Sequence, residues 1–124
     1  FEANYVAKIK EDVKPETFQK IMNVFIGKYD FSSFMKKDRA LRNTVREIYK
    51  IKCMYNLQEK RYYIEICGSS FLKTMVRIMI GTALDTYFKG ENEDCIKRKL
   101  ENPDADQPKT LSPAEGLYLY KVGY

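Results

Sequence analysis

Between Thr44 and Cys67 apolar residues recur at every second position in two successive runs, and this limits the fold more than any other feature of the chain. In the first run Val45, Tyr49, Ile51, Cys53, Tyr55 and Leu57 share one face, while Arg46, Lys50 and Lys52 share the other. Period two is the repeat of a strand, so Thr44 to Leu57 reads as one long strand that is wet and basic on one side. After the polar stretch Gln58-Glu59-Lys60, a second strand runs from Arg61 to Cys67 with Tyr62, Ile64 and Ile66 on one face. Two strands joined by so short a link form a hairpin.

Helical patterns flank the hairpin. Upstream, Pro15 suits a first helical turn, Phe18, Ile21, Met22 and Phe25 recur at helical spacing, and Gly27 is placed to end the helix. Before it, Tyr5 to Lys10 alternates as an edge strand would; after it, Asp30 to Asn43 reads as a polar, basic loop. Downstream, Gly68-Ser69-Ser70 breaks the second strand and offers a serine cap to a helix from about Phe71 to Phe88. Its core stripe is Leu72, Met75, Val76, Met79, Ala83 and Tyr87. A shorter helix spans Glu93 to Leu100, Asn102 to Pro113 is an irregular connection, and Leu117 to Tyr124 is a last strand. Strand, helix, strand, strand, helix, strand is the order of an α+β, ferredoxin-like split βαβ unit with one helix inserted before the final strand.

The 124 residues, 44% of them hydrophobic, suffice for one domain and its core but not for two. No apolar run reaches the 18 or so residues of a membrane span, and Phe1-Glu2-Ala3-Asn4 resembles neither an initiator nor a signal peptide, so the expectation is a segment that starts mid-protein. Cys53, Cys67 and Cys95 are odd in number and form no Cys-x-x-Cys pair, which fits reduced thiols in the cytoplasm. A net charge of +5 suits an anionic partner or a merely solvated surface. The absence of histidine removes Ser-His-Asp, Cys-His and His-Glu-x-x-His chemistry from this segment. The carboxylates Glu91, Glu93 and Asp94 read as favourable charges at the positive end of a short helix.

Arg77 stands apart as the single charge within an apolar helical run, on a face with the small residues Ser70, Thr74 and Gly81. Periodicity by itself favours an ordinary solvated arginine. A desolvated guanidinium there would instead require a partner, most simply a carboxylate, because an unpaired buried charge is costly.

Phe71-Leu72, Met75-Val76-Arg77 and Gly81 are spaced as in the Phe-Leu-x-x-Met-Val-Arg-x-x-x-Gly segment of the TruA family of tRNA pseudouridine synthases, which this chain resembles. The similarity extends to Asp30-Phe31-Ser32-Ser33-Phe34 and to Pro113-Ala114-x-Gly116-Leu117-x-Leu119-x-x-Val122-x-Tyr124, and is collinear over about residues 15 to 124. The chain departs from the family at Ser69-Ser70 and over Pro103 to Lys109, where Asp-Arg, a small residue and glycine are expected. The resemblance implies half of a pseudouridine synthase fold, with an antiparallel-rich sheet and helices on one face. It also implies isomerisation of uridine to pseudouridine in the anticodon stem and loop of tRNA, without metal or redox cofactor. The uracil leaves its N1 glycosidic bond, rotates and rejoins through C5. The catalytic aspartate of the family lies in an Arg-Thr-Asp-x-Gly-type motif of the N-terminal half, which this sequence lacks; Asp30, in Tyr-Asp-Phe, reads as a turn cap. By the same resemblance Arg77 pairs with that aspartate, Leu117 lines the uracil pocket or simply packs in the core, and the protein is a homodimer. Lys36, Lys37, Arg39, Arg42 and Lys73 are expected to contact RNA phosphates. Two other readings are a non-catalytic ferredoxin-like RNA-binding module, against which Arg61 to Cys67 lacks the expected aromatic signature, and a dimerisation domain using Tyr118, Tyr120 and Tyr124.

Overall fold

In the computed structural model of the chain, residues 3–38, 40–71, 74–106, 108–109 and 117–122 are described, with backbone alone for Ala3 and for 117–122. Five strands, β1 (Ala3–Ile9), β2 (Gly27–Asp30), β3 (Val45–Asn56), β4 (Arg61–Gly68) and β5 (Leu117–Val122), form one sheet in the order β2-β3-β4-β1-β5. Every pairing is antiparallel. With β2 set aside as an addition to one edge, the remaining order is that of the split βαβ arrangement read from the sequence. Three helices, α1 (Pro15–Met22), α2 (Met75–Phe88) and α3 (Asp94–Glu101), complete the fold.

One sheet face is buried under the helices through Ala7, Ile9, Ile48, Ile51, Ile64 and Ile66. The opposite face carries Lys8, Lys50, Lys52, Met54, Tyr63 and Glu65, which share cross-strand register. The hairpin is as expected, but its first strand changes phase. Pairing passes from Ile48 with Gly68 to Lys50 with Cys67, so Tyr49 is an extra residue, a bulge. Because side chains alternate with period two, one extra residue exchanges the two faces. Beyond the bulge the expected face holds, with Ile51 buried and Cys53 partly so. Before it, Ile48 turns inward while Val45 and Tyr49 are exposed. Arg46 lies on the Ile48 side of the strand, half-buried, its Nη1 donating to the carbonyls of Asn43 and Val45.

The sheet corrects three further expectations. β1 is not an edge strand, since β4 and β5 flank it. Gly27 does not close α1; a 3-10 turn over Asn23–Phe25 follows the helix, and Gly27, at φ 131, opens the short strand β2. That backbone angle is one L side chains rarely adopt. The supposed loop from Asp30 therefore begins with a strand end and a 3-10 turn at Ser32–Phe34. The rings of that block are core residues: Phe31 and Phe34 are buried, and Phe34 meets Phe25 edge-to-face at 5.1 Å.

β2 pairs with β3 only up to Ile48, and among the described residues no strand pairs with the rest of that edge. Gln19 of α1 substitutes for one: its Oε1 accepts from the Cys53 amide at 2.8 Å, and its Nε2 donates to the Ile51 carbonyl at 2.8 Å. A buried strand edge would otherwise leave polar backbone groups unpaired. At the far end of α1, the Tyr87 hydroxyl accepts from the Lys14 amide at 2.9 Å and ties the helix to α2.

Candidate active site and nucleic-acid interface

α2 is buried almost all round, from Met75 and Val76 through Ile78, Met79, Ile80, Gly81, Ala83 and Leu84 to Thr86, rather than along one stripe. A helix apolar on every side is an interior helix. Arg77 is half-buried, as are Asp85 and Tyr87 toward the other end, where Phe88 is exposed. Among the described residues the Arg77 guanidinium has neither a hydrogen-bond nor an ion-pair partner.

The start of α2 also differs from expectation. No serine caps it. Ser69 continues the hairpin ladder, its amide donating to the Glu47 carbonyl at 2.9 Å and its Oγ accepting from the Glu47 amide at 3.1 Å. Thr74 precedes the first helical residue at φ 59, a left-handed conformation uncommon for a β-branched side chain. The helix thus begins at Met75, and the Phe71 ring packs edge-on against Tyr5 at 5.0 Å. Leu72 and Lys73 lie outside the described residues.

Asp30 behaves as the turn cap expected of it: its Oδ1 accepts from the Ser32 amide at 3.0 Å and from the Thr44 hydroxyl at 2.6 Å. Ser33, buried beside it, acts over a longer range. Its hydroxyl donates to the Lys99 carbonyl at 3.3 Å and accepts from the Asp104 amide at 2.8 Å, which fastens the segment after α3 beside Lys36 and Lys37. That segment lies within Pro103 to Lys109, where the sequence departs from the pattern it otherwise resembles. Lys36, Lys37 and Arg42 are exposed; Lys37 is ion-paired with Asp106. Arg39 lies outside the described residues. Leu117 begins β5 in register with Ile9, a core residue, but its side chain, like those of Tyr118, Tyr120 and Tyr124, is outside them.

Start of α2, Ser33-anchored segment and lysine loop together border an open cavity of about 480 Å³ lined by Lys36, Lys37, Thr74, Ile78, Ala105, Asp106 and Lys109. Lys109, absent from the sequence-based set, is held there with its Nζ donating to the Ala105 carbonyl. Burial, and to a lesser extent the Lys37 charge, push its ammonium below the usual lysine range, against the opposing pull of Asp104 and Asp106. Nothing in local sequence signals this grouping, since Lys37 and Asp106 are 69 residues apart. Cys53, Cys67 and Cys95 are free thiols, and burial pushes Cys53 up to about 12. Among the described residues no cluster of three or more Cys, Asp or Glu could hold a metal, and no helix is long and apolar enough to cross a membrane.

The chain is an α+β domain whose second sheet face carries Lys8, Lys50 and Lys52 and whose interior helix carries a guanidinium with no partner among the described residues. The profile of a family described as tRNA pseudouridine synthase matches residues 21–124, and the chain belongs to that family. It is 32% identical over its whole length to tRNA pseudouridine synthase A of Lactiplantibacillus plantarum and 36% identical to that of Ureaplasma urealyticum, covering 47% and 49% of those proteins. The chain thus spans about half the length of the curated relatives it matches. A solved structure entitled "Crystal Structure of a Cbf5-Nop10-Gar1 Complex" aligns with 63% of this chain and 25% of its own at 15% identity, with a TM-score of 0.44.

Proposed function

We propose that this chain supplies the second half of the active site of a tRNA pseudouridine synthase, the first half and its catalytic aspartate coming from an N-terminal part of the same polypeptide. The observation that carries the reading is Arg77: half-buried in an interior helix, within the segment that resembles the family's arginine motif, and without a partner among the described residues. An aspartate brought within about 4–6 Å would complete the pair, and the guanidinium would hold the carboxylate ionised and aimed at the uridine. Leu117 would border the uracil. Lys36, Lys37, Arg39, Arg42 and Lys73 would bind phosphates, which position RNA without reading its bases. The substrate in this reading is the anticodon stem and loop of tRNA, no cofactor takes part, and the enzyme is a cytoplasmic homodimer.

Arg77→Lys in the enzyme containing this chain is the test. A flexible ammonium cannot reproduce the planar, two-pronged contact of a guanidinium with a carboxylate. The single-turnover rate of pseudouridine formation should fall at least about 100-fold, or roughly 2.7 kcal/mol, with tRNA affinity nearly unchanged. Near-normal turnover would return Arg77 to a structural role. Purified alone, the chain should bind tRNA weakly and form no pseudouridine.

A further inference from the structure

The cavity at the head of α2 brings three lysines together. One aspartate lines it with them, and Lys37 and Asp106 are ion-paired at 2.5 Å. Lys36 is exposed and has no ion-pair partner among the described residues. Like charges brought together around one concavity raise the energy of the folded state, an expense removed when an anion enters. Further donors lie at the start of α2, where Thr74 and Ile78 line the cavity. The first helical hydrogen bond of α2 runs from the Ile78 amide to the Thr74 carbonyl, so the amides of Met75, Val76 and Arg77 lack helical acceptors. A left-handed residue followed by a right-handed one turns successive amides toward a common point, a geometry suited to anions.

We propose that this cavity takes one phosphodiester of the RNA strand, contacted by Lys36, Lys37 and Lys109, and that Asp106 occupies Lys37 until the phosphate displaces it. The proposal rests on the reading of the chain as RNA-binding and deepens it by assigning a site, a further ligand residue in Lys109 and an internal competitor in Asp106. It also assigns a purpose to the position. Thr74 and Arg77 are three residues apart on one face, about 4.5 Å along the helix axis. A phosphate fixed at the first therefore sets which nucleotide reaches the second, so the cavity acts as a register stop for the strand.

The test begins with inorganic phosphate titrated into the ¹⁵N-labelled chain, against chloride at equal ionic strength. Amides of Lys36, Lys37 and residues 75–77 should shift saturably with phosphate and not with chloride. Asp106→Asn should tighten phosphate roughly threefold, and Lys36→Gln or Lys109→Gln should weaken it by a similar factor, as expected for single partly exposed charge contacts. In the enzyme containing this chain, Lys36→Gln should lower the salt dependence of tRNA binding by about one phosphate contact. Equal shifts with chloride, or an Asp106→Asn variant that binds phosphate no more tightly, would overturn the site. Phosphate binding with tRNA affinity and salt slope untouched by the lysine variants would overturn its assignment to RNA while leaving the enzymatic reading intact. A normal response of the cavity variants in an enzyme that makes no pseudouridine would support the site and sink the enzymatic reading instead.

Discussion

Gly68→Ala tests whether the hairpin end and the start of the arginine helix are packed as described. A Cβ built on Gly68 would lie 2.8 Å from the Glu47 carbonyl oxygen and 3.2 Å from both Ile48 Cδ1 and Phe71 Cζ. The side-chain atoms can yield, but the carbonyl is fixed, because it accepts from the Ser69 amide at 2.9 Å. Relief requires β3 and β4 to part beside the bulge. Overpacking of this kind costs about 1–3 kcal/mol, and straining the Ser69 bond adds about 1 kcal/mol. The stiffer unfolded chain returns about 0.4–1 kcal/mol, leaving a net loss of about 2 kcal/mol. For a domain of this size that lowers Tm by roughly 6–10 °C. Calorimetry and urea unfolding monitored by circular dichroism would measure it, with an unchanged urea slope marking a native-state effect. Gly90→Ala is the control: nothing lies within 4 Å of a Cβ there, and only its φ of 66 resists substitution, at about 1 kcal/mol. A Gly68→Ala protein as stable as the parent would refute the close approach of Glu47 and Phe71 on which the placement of α2 depends.

Gln19→Ala should cost about 1–3 kcal/mol by leaving the Ile51 carbonyl and Cys53 amide without their partner, and amide exchange at Cys53 should accelerate well before global unfolding. Cys53 should react with iodoacetamide at pH 8.5 at least about tenfold more slowly in the folded chain than in urea, because burial keeps it protonated; as its folded value is raised, its contribution to stability is full below the ordinary thiol range and lost as pH climbs from there toward about 12. Rapid alkylation of native Cys53, followed by mass spectrometry, would contradict its burial. Lys37 holds the Asp106 carboxyl below the usual carboxylate range, so the stability difference between the parent and Asp106→Asn should be present at neutral pH and vanish as pH falls through that lowered value. Unfolding curves collected across acid pH check the sign; a difference that grows on acidification would exclude the pair.

Local chemistry determined much of this protein before any contact formed. Alternation from Arg61 to Cys67, helical spacing around Phe18 and Ile21, and the apolar run from Met75 to Ile80 specify elements through neighbours a few residues apart, and such patterns survive in any tertiary setting. Asp30 as a turn cap and Arg77 as the anomalous charge were legible for the same reason. Features set by distant partners were not. Tyr49 becomes a bulge only because Gly68 and Cys67 fix the pairing on the opposite strand, and that one residue decides whether Ile48 or Val45 is buried. β1 is interior only because β5, more than a hundred residues later, pairs with its outer side. Ser69 could have capped a helix but instead bonds to Glu47, where a hairpin carbonyl and amide were already in reach. The cavity is the extreme case: Ser33 fastens Asp104 from 71 residues away, and only then do Lys36, Lys37 and Lys109 surround one space. Alternation and helical spacing carry no information about such meetings, because which groups share a dielectric environment and a partner is settled by chain closure rather than by sequence neighbours.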